Sequence, residues 1–86
     1  MYDVGYNIEI GGRTGEIVFR VNHDGEDYIN VCFEGEKLEY VIYHIKIEND
    51  KVMVAKVEDE NLLADLMLEF GLMSLSEMAK DGENNE

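Results

Sequence analysis

Residues Arg20 to Val31 read RVNHDGEDYINV. Asp24-Gly25 stands between two runs in which apolar and polar residues alternate, the short-range signal of a two-residue β-hairpin turn. Upstream, EIVFRV places Ile17, Phe19 and Val21 on one face, and downstream DYINVCF does the same with Ile29, Val31 and Phe33. The remaining runs extend this hairpin on both sides. In VGYNIEI, Val4, Tyr6, Ile8 and Ile10 alternate with Gly5, Asn7 and Glu9, and Gly11-Gly12 turns the chain into the hairpin. These three runs form a meander.

After Glu34-Gly35-Glu36 the longest run, KLEYVIYHIKIE, puts Val41, Tyr43, Ile45 and Ile47 on one face and Leu38, Tyr40 and Ile42 on the other. A strand apolar on both faces suits a central position, or one whose second face is covered by a helix or a partner. The residues END at 48 to 50 turn the chain again, and KVMVAKV, rich in β-branched residues, is a fifth strand. The period then changes. Leu62, Leu63, Leu66, Met67 and Phe70 recur at helical spacing, with Glu58, Asp59 and Glu60 where a helix N-terminus favours negative charge and Gly71 as a stop. Ser74 to Glu77 has the Ser-x-x-Glu form of a capping box, so a short last helix through Ala79 is expected, then a frayed polar tail over residues 81–86. The expected fold is one α+β domain over residues 1–80: a five-stranded antiparallel meander followed by a C-terminal helix and a short final helix packed on one face.

At 86 residues there is room for a single modest core, since a chain of this size hides only ~60 to 65% of its unfolded surface. Apolar residues make up 45%, a globular composition, and no stretch approaches the ~18 apolar residues of a membrane span. The N-terminal residues MYDVGYN lack the basic and apolar segments of a signal peptide, so a cytoplasmic protein is expected. The single cysteine, Cys32, lies in an apolar run and reads as a buried, inert thiol.

Twenty acidic and seven basic residues give a net charge of -13, which repels phosphate and argues against direct binding to nucleic acid or anionic lipid. Successive connections of a meander alternate between the two ends of the sheet. The turn at 22 to 27 therefore shares an end with the turn at 48 to 50, gathering Asp24, Gly25, Glu26, Asp27, Glu48 and Asp50, with Asp3 projecting the same way. The opposite rim receives the Gly11 to Gly15 loop with Arg13, the turn of Glu34 and Glu36, and the junction of Glu58, Asp59 and Glu60. Such crowding costs stability unless a cation or a basic partner relieves it. The plainer reading is that these are hydrated turn residues that keep the protein soluble.

The chemistry of catalysis is thin. His23 and His44 have no metal-ligand spacing to Cys32, and a structural role is expected for both. Ser74 and Ser76 are accounted for by helix capping, which leaves no Ser-His-Asp arrangement. The exposed turn acids do not converge as an acid/base pair, NHDGED lacks the ligand spacing of a calcium loop, and the glycines at 11, 12 and 15 have neither the helix nor the Lys-Ser/Thr pair of a phosphate loop. No enzyme activity, cofactor or metal is expected.

YNIEIGG followed by EIVFRVNHDGEDYI resembles the three-stranded sheet of a small, acidic type II-A anti-CRISPR family of phage-encoded Cas9 inhibitors, in strand order, in Arg-Val-Asn and in the Asp-Gly turn. In that family the hairpin tip occupies the basic site where Cas9 reads its PAM, so the resemblance implies such a role for Asp24, Gly25, Glu26 and Asp27. The family has a helix before its first strand and lacks the strands that run here from Lys37 to Val57. DGEDYINV with EYVIYHIKIENDKVMVAKVEDENLLADLMLEF resembles a second group, the small acidic YrzB-like bacterial family of unknown function, which brings no site residues with it.

Two functions follow as expectations. One is a non-enzymatic inhibitor whose carboxylates occupy a basic DNA-binding site on a partner such as a CRISPR effector nuclease, the protein remaining a monomer. The other is a small cytosolic housekeeping or assembly module that works through an apolar C-terminal surface of Leu68, Leu72 and Leu75, either in a weak homodimer or against a partner. The alternative for those leucines is burial when the short helix folds back.

Overall fold

The computed structural model describes residues 2–71, so the short helix expected at 74 to 79, Leu72, Leu75 and the polar tail lie outside the described residues. Within them the chain forms β1 (Asn7–Ile10), β2 (Arg13–His23), β3 (Glu26–Phe33), β4 (Glu39–Glu48), β5 (Lys51–Lys56) and α1 (Glu60–Phe70). The five strands lie in sequence order, every pair antiparallel, which is the expected meander. Among the described residues no helix is long and apolar enough to cross a membrane.

The sheet curls into a half-barrel. Its concave face buries Ile8, Ile17, Ile29, Val31, Phe33 and Ile45, and the half-buried Val52 and Val54 of the last strand pack on the same cluster as Ile8 of the first. The seam between β1 and β5 stays open as a cleft of about 310 Å³ lined by Tyr2, Tyr6, Ile8, Glu9, Val52 and Val54. Gly15 is required here, because a Cβ at that position would stand 2.5 Å from Val31 Cγ1 and 2.8 Å from Phe33 Cδ1. At the far end of this face the Arg13 guanidinium lies 4.3 Å from the centre of the Phe33 ring and pairs with Glu39 at 2.8 Å.

The other face carries α1. Tyr28, Ile42, Val57, Leu66 and Phe70 are buried together, with Val21, Leu62, Leu63 and Met67 packed against them, so the helical stripe read from the sequence is the one that docks. The helix starts as expected at its acidic turn, where Asp59 Oδ1 accepts from the Leu62 N–H at 3.0 Å, and ends at Gly71 in the left-handed conformation with φ of 75°.

Four expectations are corrected. A register shift between Ile17 and Phe19 makes Val18 a bulge, and since side chains alternate, the extra residue sends Phe19 and Val21 to the helix side instead of the face of Ile17. Phe19 stacks with Phe70 at 6.0 Å between ring centres, while Arg20 turns to the concave side. The first strand starts at Asn7, because Gly5, at φ of 94°, turns the chain and leaves Val4 63% exposed. In β4, Ile42 alone of its set is buried beneath the helix, Tyr40 and Ile47 are exposed, and Leu38 precedes the strand and is exposed too. Cys32 is half-buried, not buried, because α1 does not reach its part of the sheet.

Candidate functional site: the acidic hairpin end

Both hairpins that open at this end use two-residue turns with positive φ at each central position, Asp24 at 53° and Gly25 at 83°, Asn49 at 50° and Asp50 at 64°. Asp, Asn and Gly are the residues that tolerate that conformation, and turns of this kind match the twist of the strands they join. Asp27 pairs with Ile45 across β3 and β4, and Glu48 pairs with Lys51 across β4 and β5. The β2–β3 and β4–β5 turns therefore leave the same end of the sheet, two strand spacings or about 10 Å apart. The structure thus brings Asp24, Gly25, Glu26, Asp27, Glu48 and Asp50 to one end.

Their side chains are not equivalent. Asp27 is held inward: Arg20 Nη2 donates to its Oδ2 at 3.3 Å and Asn22 Nδ2 to its Oδ1 at 3.1 Å. The same guanidinium donates through Nη1 to Asp3 Oδ1 at 3.3 Å and to the Tyr2 carbonyl at 3.0 Å, which ties the N-terminal segment to the hairpin. Glu26 lies 3.0 Å from His44 Nε2, and Glu48 pairs with Lys46 at 3.1 Å, an exposed contact that raises the lysine pKa chiefly through its hydrogen bond. Asp24 is the most open of the paired acids, with 91% of its side chain exposed and a 3.5 Å approach to His23 Nε2.

Two further carboxylates come from α1. His23 Nδ1 lies 3.1 Å from Glu69 Oε1, and this hydrogen bond, reinforced by the charges of Glu69, Asp24 and Asp65 and opposed by partial burial, raises the His23 pKa above its usual 6.5. The helix thus ends over the acidic hairpin, adding Glu69 and Asp65. Sequence reading passed over them; the available signal was their spacing of four residues on the flank of the Leu66 and Phe70 stripe.

The second acidic set is less concentrated. Glu34 and Glu36 lie in the loop before β4, where Lys37 follows Glu36 in sequence and Arg13 pairs with Glu39 at the start of the strand. Lys56, the last residue of β5, pairs with Tyr43, four residues along β4 from Glu39, so Glu58, Asp59 and Glu60 are set back from that rim and the Asp59 side chain is committed to its cap. Leu68 is 44% exposed on α1; its expected companions Leu72 and Leu75 lie outside the described residues. Among the described residues, no three His, Cys, Asp or Glu side chains converge as metal ligands. Compared with known protein families, curated proteins and solved structures, the chain gives no match.

Proposed function

We propose that this is a non-enzymatic acidic binding protein whose hairpin end occupies a basic, nucleic-acid-binding site on a partner protein in the cytoplasm, in the manner of a phage inhibitor that imitates nucleic-acid charge. A Cas9-type nuclease is the named candidate, on the likeness of the β2–β3 hairpin. The observation that supports this reading is the convergence of the two tight turns, which sets the exposed carboxylates of Asp24, Glu26 and Glu48 together with Asp50 at one end of the sheet. Exposed carboxylates attract Lys and Arg over distances beyond contact, so they speed association and make it weaken with salt. Asp27 is assigned a supporting part, because Arg20 and Asn22 already hold it.

The test is capture of a Cas9 effector at low and high salt by the wild type and by a variant carrying Asp24→Asn, Glu26→Gln and Asp50→Asn, changes that keep the turn conformations. Binding that falls with salt and drops roughly tenfold or more in the variant supports the reading; no capture, or capture indifferent to the three changes, removes this partner or this end of the molecule. The competing reading, an assembly module, is favoured by the exposed Leu68, and light scattering tests it as a dimer that grows with concentration and is lost in Leu68→Asp. The short helix from Ser74 through Ala79 belongs to the same proposal, and helical carbon chemical shifts over those residues test it.

A further inference from the structure

Among the described residues, α1 covers the helix-side sheet face only from the row of Phe19, Asn30 and Ile42 toward the acidic hairpin end. From the row of Phe19, Asn30 and Ile42 toward the Gly11-Gly12 end, this face carries Val18, Glu16, Cys32 and Tyr40, which the register places side by side: Glu16 opposite Cys32, and Cys32 opposite Tyr40. Phe19 is 40% and Tyr40 54% exposed, Cys32 and Val18 are half-buried, and a cleft of about 300 Å³ opens there between Asn7, Glu16, Val18, Cys32 and Glu34. Tyr40 lies against the Cys32 thiol, whose charge and hydrogen bond raise the phenol pKa. A soluble sheet gains by covering an aromatic and aliphatic strip of this kind.

We propose that the chain beyond Gly71 supplies the cover, residues Leu72 to Ala79 packing Leu75 and Met78 over Cys32 and Tyr40. Three observations support this occupant. Phe70 stacks on Phe19, so the chain leaves α1 at the border of the uncovered area, and Gly71 in the left-handed conformation turns it there. Fifteen residues follow, with apolar residues at 72, 73, 75 and 78. Eight residues in a helix span about 12 Å, and β3 from the buried Asn30 to its end at Phe33 spans about 10 Å, so the two lengths agree. The proposal takes its reach from the short helix above, but a thiol reports the docking and chemical shifts report the helix, so the two fail separately.

Cys32 is the single cysteine of the chain, which makes its reactivity a direct reading of the cover. In the full chain at low concentration, a maleimide should label Cys32 roughly threefold or more slower than in Leu75→Asp or Met78→Asp, with the sheet circular dichroism unchanged. Equal rates overturn the proposal. Should either aspartate variant lose the sheet signal, Leu75→Cys and Met78→Cys decide the matter: mild oxidation is expected to join one introduced thiol to Cys32 within a monomer. Disulfides found only between chains, or protection of Cys32 that rises with protein concentration, assign the face to a second copy and overturn it.

Discussion

The two faces of the same five strands are built to different standards. The concave face is closed by curvature: six apolar side chains from four strands pack with no polar side chain among the fully buried described residues of this face, and a Cβ at Gly15 would stand 2.8 Å from Phe33 Cδ1. The helix-side face is closed by an added element, α1, which among the described residues covers it only in part. There Asn30 is fully buried, and neither its Nδ2 nor its Oδ1 has a hydrogen-bond partner among the described residues. The difference shows where the fold is specified and where it is tolerant. Curvature and register fix the first core, and the second core accepts an orphaned amide and a half-bare strip because α1 can sit on it without perfect complementarity.

The comparison breaks first at Ile29, the central buried residue of the concave face. Ile29→Ala removes three carbons from a close-packed layer, and the expected loss is about 2 to 5 kcal/mol, taking sheet and helix together in one transition in urea. If the helix signal survives the loss of the sheet, or if the loss is under about 1 kcal/mol, the concave face is not the structural centre. The opposite sign is expected one residue away on the other face. Asn30→Leu exchanges two unpaired polar atoms for apolar volume between Phe19 and Ile42, and stability should rise by about 1 to 2 kcal/mol at constant m-value. A destabilised variant would mean that the amide is satisfied in solution, and the two faces would then be alike in polar pairing.

What the sequence disclosed follows the same division. The meander was legible because each strand is bounded by turn residues whose backbone preference is local: Gly11-Gly12, Asp24-Gly25 and Asn49-Asp50 all adopt the positive φ that their side chains allow. The helix was legible because its stripe, its Asp59 cap and its Gly71 stop agree. The bulge at Val18 was not, since a single inserted residue leaves the alternation of Ile17, Phe19 and Val21 intact to the eye while reversing which face the last two serve. At the candidate site, the convergence of the turns was topological and could be read. The inward pairing of Asp27 with Arg20 and the arrival of Glu69 depend on that bulge and on the angle at which the helix crosses the strands, neither of which is written in local pattern.

The smallest effect ties the two faces to the acidic end. His23 belongs to the helix side by virtue of the bulge, and its contact with Glu69 pins the last turn of α1 to the β2–β3 hairpin. Glu69 acts first through the hydrogen bond, then through charge together with Asp24 and Asp65, while partial burial opposes them, and the balance raises the imidazole pKa in the folded protein above 6.5. The proton is then bound more tightly in the native than in the unfolded chain. Its stabilising contribution is complete below pH 6.5 and is lost as pH rises through the higher native value. The charged groups that face this imidazole are three carboxylates from two elements: Asp24 in the turn, and Asp65 and Glu69 on the helix. An NMR titration of the ring protons should therefore give a midpoint above 6.5 in the wild type, shifted down in Glu69→Gln, with amide shifts near Phe70 following the same curve and those of Ile29 remaining flat. A midpoint that ignores Glu69, or a curve shared by Ile29, would show that the helix end is not held by this pair and that the two faces respond to pH as one body.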